Sequence, residues 1–216
     1  MMLRVHIKNN HYRPDTFPNT AEGEKVFTIT QQRFDEASIN HPDVTRELDL
    51  SIGWDTDQFE KHMATADVLV TWDLPTEGLA KAAPNLKWIH IIGAGVEHLA
   101  PMDWLPTEVV LTNNKGVHAK KGGEFGIMSI LMLHNHMPQI IQNQMAGKYD
   151  SLYSTPISGK TLVIIGTGSI GRSVARQAKA MGVYVIGVSR HGKNVPEVDE
   201  AVPVKDLDSV LPRGDF

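Results

Sequence analysis

The string Gly166-Thr167-Gly168-Ser169-Ile170-Gly171 carries the most specific chemistry in this sequence. It follows a nearly pure apolar run at 161–165 and leads into 172–181, where Val174, Ala175 and Ala178 mark one helical face; a second apolar run, 183–188, comes next. Strand, glycine turn, helix and second strand make a βαβ unit, the context in which a GxGxxG string cradles the pyrophosphate of a dinucleotide. The three glycines serve different needs. Gly166 makes the tight turn, Gly168 lets backbone approach the phosphates, and Gly171 lets helix pack on strand. With Thr167, Ser169 and Ile170 between them, the six residues open a helix whose free N–H groups and positive dipole end face the ligand. An ordinary glycine-rich turn without a ligand is the competing reading.

The end of the second strand, about 20 residues on, normally carries an acid that binds the ribose 2′-hydroxyl. Here the chain reads Val188-Ser189-Arg190-His191. Arg190 can form a charge-assisted, bidentate bond to a 2′-phosphate and Ser189 can donate another, so NADP(H) is expected in preference to NAD(H), which stays possible. Otherwise Arg190 is a solvated residue stacking on the adenine edge.

Other chemistry is thin. The absence of cysteine excludes disulfides, a thiolate nucleophile and a cysteine-based zinc site. His134 and His136 are spaced i, i+2, which places them on different faces of a helix and argues against a metal pair. His98 and His118 read as surface or rim residues, the four tryptophans as residues of strand ends, and Asp73 as a residue at the carboxyl end of a strand, where ligands bind in such sheets.

The elements that must hold these residues alternate. Strands are predicted at 3–7, 48–54, 68–71, 88–92 and 109–112, separated by polar or helical segments such as 56–64 and 77–83. Such alternation implies a parallel sheet with helices on its faces. A long helix is predicted from about 120 to 146, weakened by Gly122, Gly123 and Gly126 and kinked near Pro138, followed by a linker at 151–158. The 216 residues are 41% hydrophobic with 18 glycines, which fits a globular chain. A net charge of -4 without long charge runs argues against a nucleic-acid partner. No run is long enough to span a bilayer, and a cytoplasmic protein without membrane partners is expected.

Residues 156–171 resemble the cofactor signature of the D-isomer-specific 2-hydroxyacid dehydrogenases. Upstream, Ala83-Pro84-Asn85-Leu86-Lys87-Trp88-Ile89, leading to Gly93-Ala94-Gly95-Val96-Glu97-His98-Leu99, is similar to that family's substrate loop. Val110-Leu111-Thr112-Asn113-Asn114-Lys115-Gly116-Val117 resembles its entry into the cofactor domain. The resemblance covers most of 83–207; residues 1 to about 80 fit only the alternating pattern. It implies an α/β chain with a flavodoxin-like substrate domain at 1–105, then an incomplete Rossmann doubly wound parallel sheet at 106–216. It also implies an NAD(P)-dependent oxidoreductase that transfers hydride between the cofactor and a small-molecule 2-oxo or D-2-hydroxy acid, paired as a homodimer through the long helix.

Family members hold the substrate carboxylate on backbone amides of the Gly-Ala-Gly-Val loop, a role that falls here on Ala94, Gly95 and Val96. An N–H nest at a strand end suits an anion on physical grounds as well, with a plain turn as the competing reading. The chain departs from the family at Lys120-Lys121-Gly122-Gly123-Glu124-Phe125-Gly126, where only Glu124 and the following apolar stripe match, and at Tyr149, near which the family has Trp. The family's Arg clamp and its His–Glu pair fall beyond residue 216. The chain is therefore expected to be truncated, to hold no catalytic residue and to be inactive alone. The competing functions are a non-catalytic dinucleotide-binding module and another enzyme on the same plan, of the formate or phosphoglycerate dehydrogenase type.

Overall fold

The computed structural model describes residues 2–216 and divides into two units, the first running to Lys115 and the second spanning Gly116–Phe216. The first unit contains β1 (Leu3–Asn9), α1 (Ala21–Phe27), α2 (Gln31–Ser38), α3 (Pro42–Thr45), β2 (Leu48–Trp54) and α4 (Phe59–Met63). Then come β3 (Val68–Thr71), α5 (Leu79–Ala82), β4 (Trp88–Ile91) and β5 (Val110–Asn113). Its five strands are all parallel in the order β2-β1-β3-β4-β5, the flavodoxin-like order. The central strands are apolar because helices cover both faces. Leu69, Ile89 and Ile91 are fully buried and pack in one cluster with Phe59 and Met63 of α4 and Leu79 of α5. Each such side chain contributes about 1.5–3 kcal/mol.

The domain boundary expected at 105/106 moves to 115/116. β5 pairs with β4 from Trp88↔Val110 to Ile91↔Asn113, so it is the last strand of the first sheet. Pro101 and Pro106 punctuate a loop inside this unit, where the Trp104 indole donates to Leu99 O at 2.8 Å. Helices α1 and α2 were not anticipated from the sequence. Their signals are local: the Thr20 and Thr30 hydroxyls cap them by accepting from Gly23 N–H and Arg33 N–H.

At the amino ends of the strands a buried charge ties three of them together. Asp67, 6% exposed, accepts from Arg4 N at 3.1 Å, Arg4 Nε at 3.2 Å and Lys87 Nζ at 2.9 Å. Hydrogen bonds from Lys87 and from Arg4 hold its carboxyl down at about 2.

The second unit contains α6 (Ala119–His134), α7 (Met137–Met145), β6 (Thr161–Ile165), α8 (Ser169–Ala180), β7 (Tyr184–Ser189), β8 (Glu200–Pro203) and α9 (Leu207–Val210). Its sheet, β6-β7-β8, is parallel and runs in the sense of the first three strands of a Rossmann fold. Strand β8 is short, with only Val202 buried, which left no alternation to read. The predicted long helix is two helices. His136 takes a left-handed φ of 55° and breaks the run, and Pro138 stands in the first turn of α7, where its missing N–H costs nothing.

The glycines of α6 lower helix propensity by about 1 kcal/mol each against alanine, yet they have a packing role. A Cβ on Gly122 would press on Ile170 Cγ2 at 3.0 Å and one on Gly126 on Val174 Cγ2 at 2.7 Å, so the two glycines let α6 lie directly on α8.

One buried group of the first unit gives a pH test. His6 is 1% exposed, its Nδ1 is 2.9 Å from Ser51 Oγ, and its ring stacks on His62 at 4.5 Å. Burial, then His62 and Lys8, push the imidazole down to about 4 against the Ser51 hydrogen bond. An unfolded histidine titrates near 6.5, so between these values the folded unit binds fewer protons than the unfolded chain. Stability is full above about pH 6.5 and declines toward pH 4, by at most about 3 kcal/mol. Imidazole NMR of the native chain is expected to show His6 neutral at pH 5.5; a His6 midpoint near 6.5 contradicts the packing.

Candidate functional site

The glycine turn sits where β6 ends and α8 begins. Gly166 takes φ 104°, a value side chains rarely tolerate, and its N–H donates to Val188 O at 2.8 Å, fastening the turn to β7. A Cβ on Gly171 would overlap Gly166 O, so the helix start rests on the turn itself. A Cβ on Gly168 would meet nothing within 4 Å. The space that glycine leaves is therefore open.

The first backbone bond of α8 runs from Arg172 N–H to Gly168 O at 2.9 Å, and no side chain caps the helix. Among the described residues the amides of Thr167, Gly168, Ser169, Ile170 and Gly171 donate to no protein acceptor. These five consecutive amides lie at the positive end of a 12-residue helix, beside that open space, with no acid in the first turn. An anionic, phosphate-sized group fits the donor set. Thr167 is half-buried, its methyl occupying the room left by Gly187.

At the end of β7, Ser189 Oγ accepts from Lys193 N–H at 3.1 Å, and Gly192, at φ 63°, closes the turn. The Ser189 hydroxyl hydrogen is left to donate outward. Arg190 is exposed and bonds to no described residue, whereas Arg172 is engaged: its Nε and Nη2 grip Glu197 at 2.8 and 2.9 Å, and Arg176 adds a contact at 3.1 Å. Arg172 first and Arg176 with it hold the Glu197 carboxyl down at about 2. Sequence reasoning passed over Glu197, which ties the segment after β7 to α8; an acid 25 residues from its partner leaves no local pattern.

In the first unit, the loop 93–96 leaves β4. Gly93 O accepts from Asn114 N–H at 2.9 Å and Val96 O from Leu99 N–H at 3.0 Å, while Ala94, Gly95 and Val96 donate to no described acceptor. The Glu97 carboxylate lies where a Cβ of Gly95 would stand. His98 Nε2 is 2.8 Å from Trp72 O, and its ring stacks on Trp72 at 4.6 Å. Trp72 in turn fills the side of Gly93.

Asp73 bonds Lys8 and Asn10. His118 precedes α6 without capping it, and His134 Nε2 bonds Thr155 O at 2.6 Å. Among the described residues no group of three or more His, Asp or Glu is placed to hold a metal, and no helix is long and apolar enough to cross a membrane.

These arrangements define an α/β chain whose second unit is Rossmann-like. Residues 127–216 match the family described as "D-isomer specific 2-hydroxyacid dehydrogenase, NAD binding domain". Among curated relatives, it is 29% identical over 164 residues to hydroxypyruvate reductase of Thermotoga maritima, a match covering 74% of this chain and 53% of that protein. It is 26% identical over 175 residues to D-3-phosphoglycerate dehydrogenase of Methanocaldococcus jannaschii, covering 79% and 33%. The chain thus spans between a third and about half the length of these relatives.

The fold matches, with TM-score 0.71 and 21% identity, a D-isomer specific 2-hydroxyacid dehydrogenase from Xanthobacter autotrophicus solved in complex with NADPH and MES, over 99% of this chain and 61% of that one. It also matches an NADPH-dependent glyoxylate/hydroxypyruvate reductase from Sinorhizobium meliloti, with TM-score 0.66 and 24% identity, over 99% and 60%.

The open space at Gly168 gives a direct test. Gly168→Val places a branched side chain between the five amides and an incoming pyrophosphate without touching β6. Calorimetric titration is expected to show NADPH binding lost with the circular dichroism unchanged; a folded variant that still binds shows that the turn is no phosphate cradle.

Proposed function

We propose that this chain supplies the acid-binding and dinucleotide-binding parts of an NAD(P)-dependent oxidoreductase that interconverts a 2-oxo acid and a D-2-hydroxy acid. The observation that carries this reading is the run of five unpartnered amides at the start of α8, next to the open space at Gly168. Gly166, Gly168 and Gly171, with Thr167, Ser169 and Ile170, would hold the pyrophosphate, and the bound nicotinamide supplies hydride chemistry. The amides of Ala94, Gly95 and Val96 would orient the acid through its carboxylate.

The selectivity assigned to this site is NADP(H) over NAD(H). Arg190 is free of other bonds, Ser189 keeps a hydroxyl hydrogen, and no acid replaces them at the end of β7. The NADPH in the Xanthobacter structure and the NADPH dependence of the Sinorhizobium enzyme support the same choice.

The apolar side chains that α6 and α7 leave exposed, among them Phe125, Met128, Leu133 and Ile141, support pairing with a second copy. The acid–base step is not assigned to a residue of this chain: His98 spends Nε2 on Trp72 O, and among the described residues of the first unit no free arginine joins it, since Arg4, Arg13 and Arg46 are paired with Asp67, Asp55 and Asp43 and Arg33 bonds the Val26 and Thr28 carbonyls. These 216 residues are accordingly read as binding without family-like turnover.

The test is cofactor choice. A charge-assisted bond to the 2′-phosphate is worth about 1.5–3 kcal/mol, so NADPH is expected to bind about tenfold to a hundredfold tighter than NADH. Arg190→Ala is expected to remove most of that difference while leaving NADH affinity unchanged. Equal affinities for the two cofactors in the wild type contradict the assignment.

A further inference from the structure

The carboxyl edge of the first sheet carries a charge arrangement that the reading above leaves unused. The Lys8 side chain is 4% exposed, and an ammonium buried that far needs direct partners. It has Asp73 Oδ1 at 2.7 Å and Asn10 Oδ1 at 2.5 Å. Asn10 Nδ2 also donates to Asp73 Oδ1 at 2.9 Å and to Phe17 O at 3.2 Å, and Thr71 Oγ donates to Asp73 O at 2.6 Å. Asp73 is therefore fixed, with Oδ1 committed inward. Its side chain remains 45% exposed and Oδ2 bonds to no described residue. The cation of this pair is buried and the anion faces out.

Asp73 stands beside the loop 93–96. Thr71 pairs in register with Ile91, the intervening Trp72 packs on Gly93, and Trp72 O is bonded by His98. On the other side, the exposed Glu97 carboxylate lies against Gly95 and makes no ion pair. Of the basic side chains along this edge, Lys8 belongs to Asp73, while His11 and Arg13 bond Asp55. Lys115, next to the Asn114 that bonds Gly93 O, is exposed and unpaired. Three free amides and one lysine suit one carboxylate; two flanking carboxylates oppose a second negative group.

We propose that Asp73, positioned by Lys8, and Glu97 restrict this loop to monoanionic acids, Asp73 Oδ2 accepting from a hydroxyl next to the reacting carbon, and that they turn away phosphorylated or dicarboxylic ones. The proposal rests on the reading of Ala94, Gly95 and Val96 as the carboxylate site. It divides the relatives by substrate charge, since one is a hydroxypyruvate reductase and another a D-3-phosphoglycerate dehydrogenase.

The test is titration of the 216-residue chain with D-glycerate and with 3-phospho-D-glycerate, read by amide NMR, for wild type, Asp73→Asn and Glu97→Gln. D-glycerate is expected to bind at least about fivefold tighter than its phosphorylated form, and the ratio is expected to narrow in the variants. Asp73→Asn strips a buried ammonium of its counter-charge, so its fold is checked by circular dichroism; Glu97→Gln alters an exposed, unpaired group and decides the matter if the first variant unfolds. Equal or tighter binding of the phosphorylated acid by the wild type, or an unchanged ratio in every folded variant, overturns the proposal. Failure of both acids to bind removes the carboxylate site itself, and with it this inference.

Discussion

The second unit depends on one close contact, the seating of Gly171 against the carbonyl of Gly166. Because no side chain separates them, α8 starts directly on the end of β6, and the first amides of the helix are carried clear of any protein acceptor. A capping Ser or Asp would satisfy those amides and occupy the place of a ligand. Its absence leaves the helix end without a protein acceptor for those amides. Around this junction the packing is closed: Val185, Ile186 and Ala175 are fully buried, α6 lies on α8 through Gly122 and Gly126, and Glu197 fastens the segment after β7 to Arg172. A closely packed frame thus holds a loop whose amides have no protein partner.

In the first unit the same division appears in charge. At the amino ends of the strands Asp67 is enclosed by Arg4 and Lys87 and only holds strands together, its full complement of partners leaving nothing to offer. At the carboxyl ends Lys8 is enclosed, but its partner Asp73 keeps one oxygen outward, and the amides of 94–96 are free. Parallel strands bring successive loops together at that end, so it gathers groups that are distant in sequence.

The βαβ unit was legible because its signals are local: an apolar run of strand length, three glycines at fixed offsets and a helical stripe. Strands 48–54, 68–71 and 161–165 were placed to the residue for the same reason. What failed was either too short to show a period, as in β8, or set by partners far away. Val110–Asn113 looked like the start of a second domain until its pairing with Trp88–Ile91 assigned it to the first sheet. The glycines of α6 looked like weaknesses of a helix, since nothing in their own neighbourhood shows that α8 requires them. Lys8 and Asp73 lie 65 residues apart, and only register joins them.

The central claim, that the amides at the start of α8 receive the pyrophosphate, is tested most directly by amide NMR of the isotopically labelled 216-residue chain with NADPH. The account predicts that Thr167, Gly168, Ser169, Ile170 and Gly171 shift together in one saturable transition that Ser189 and Arg190 follow at the same NADPH concentration. Saturable binding that leaves those five amides in place, with the shifts elsewhere, would contradict it.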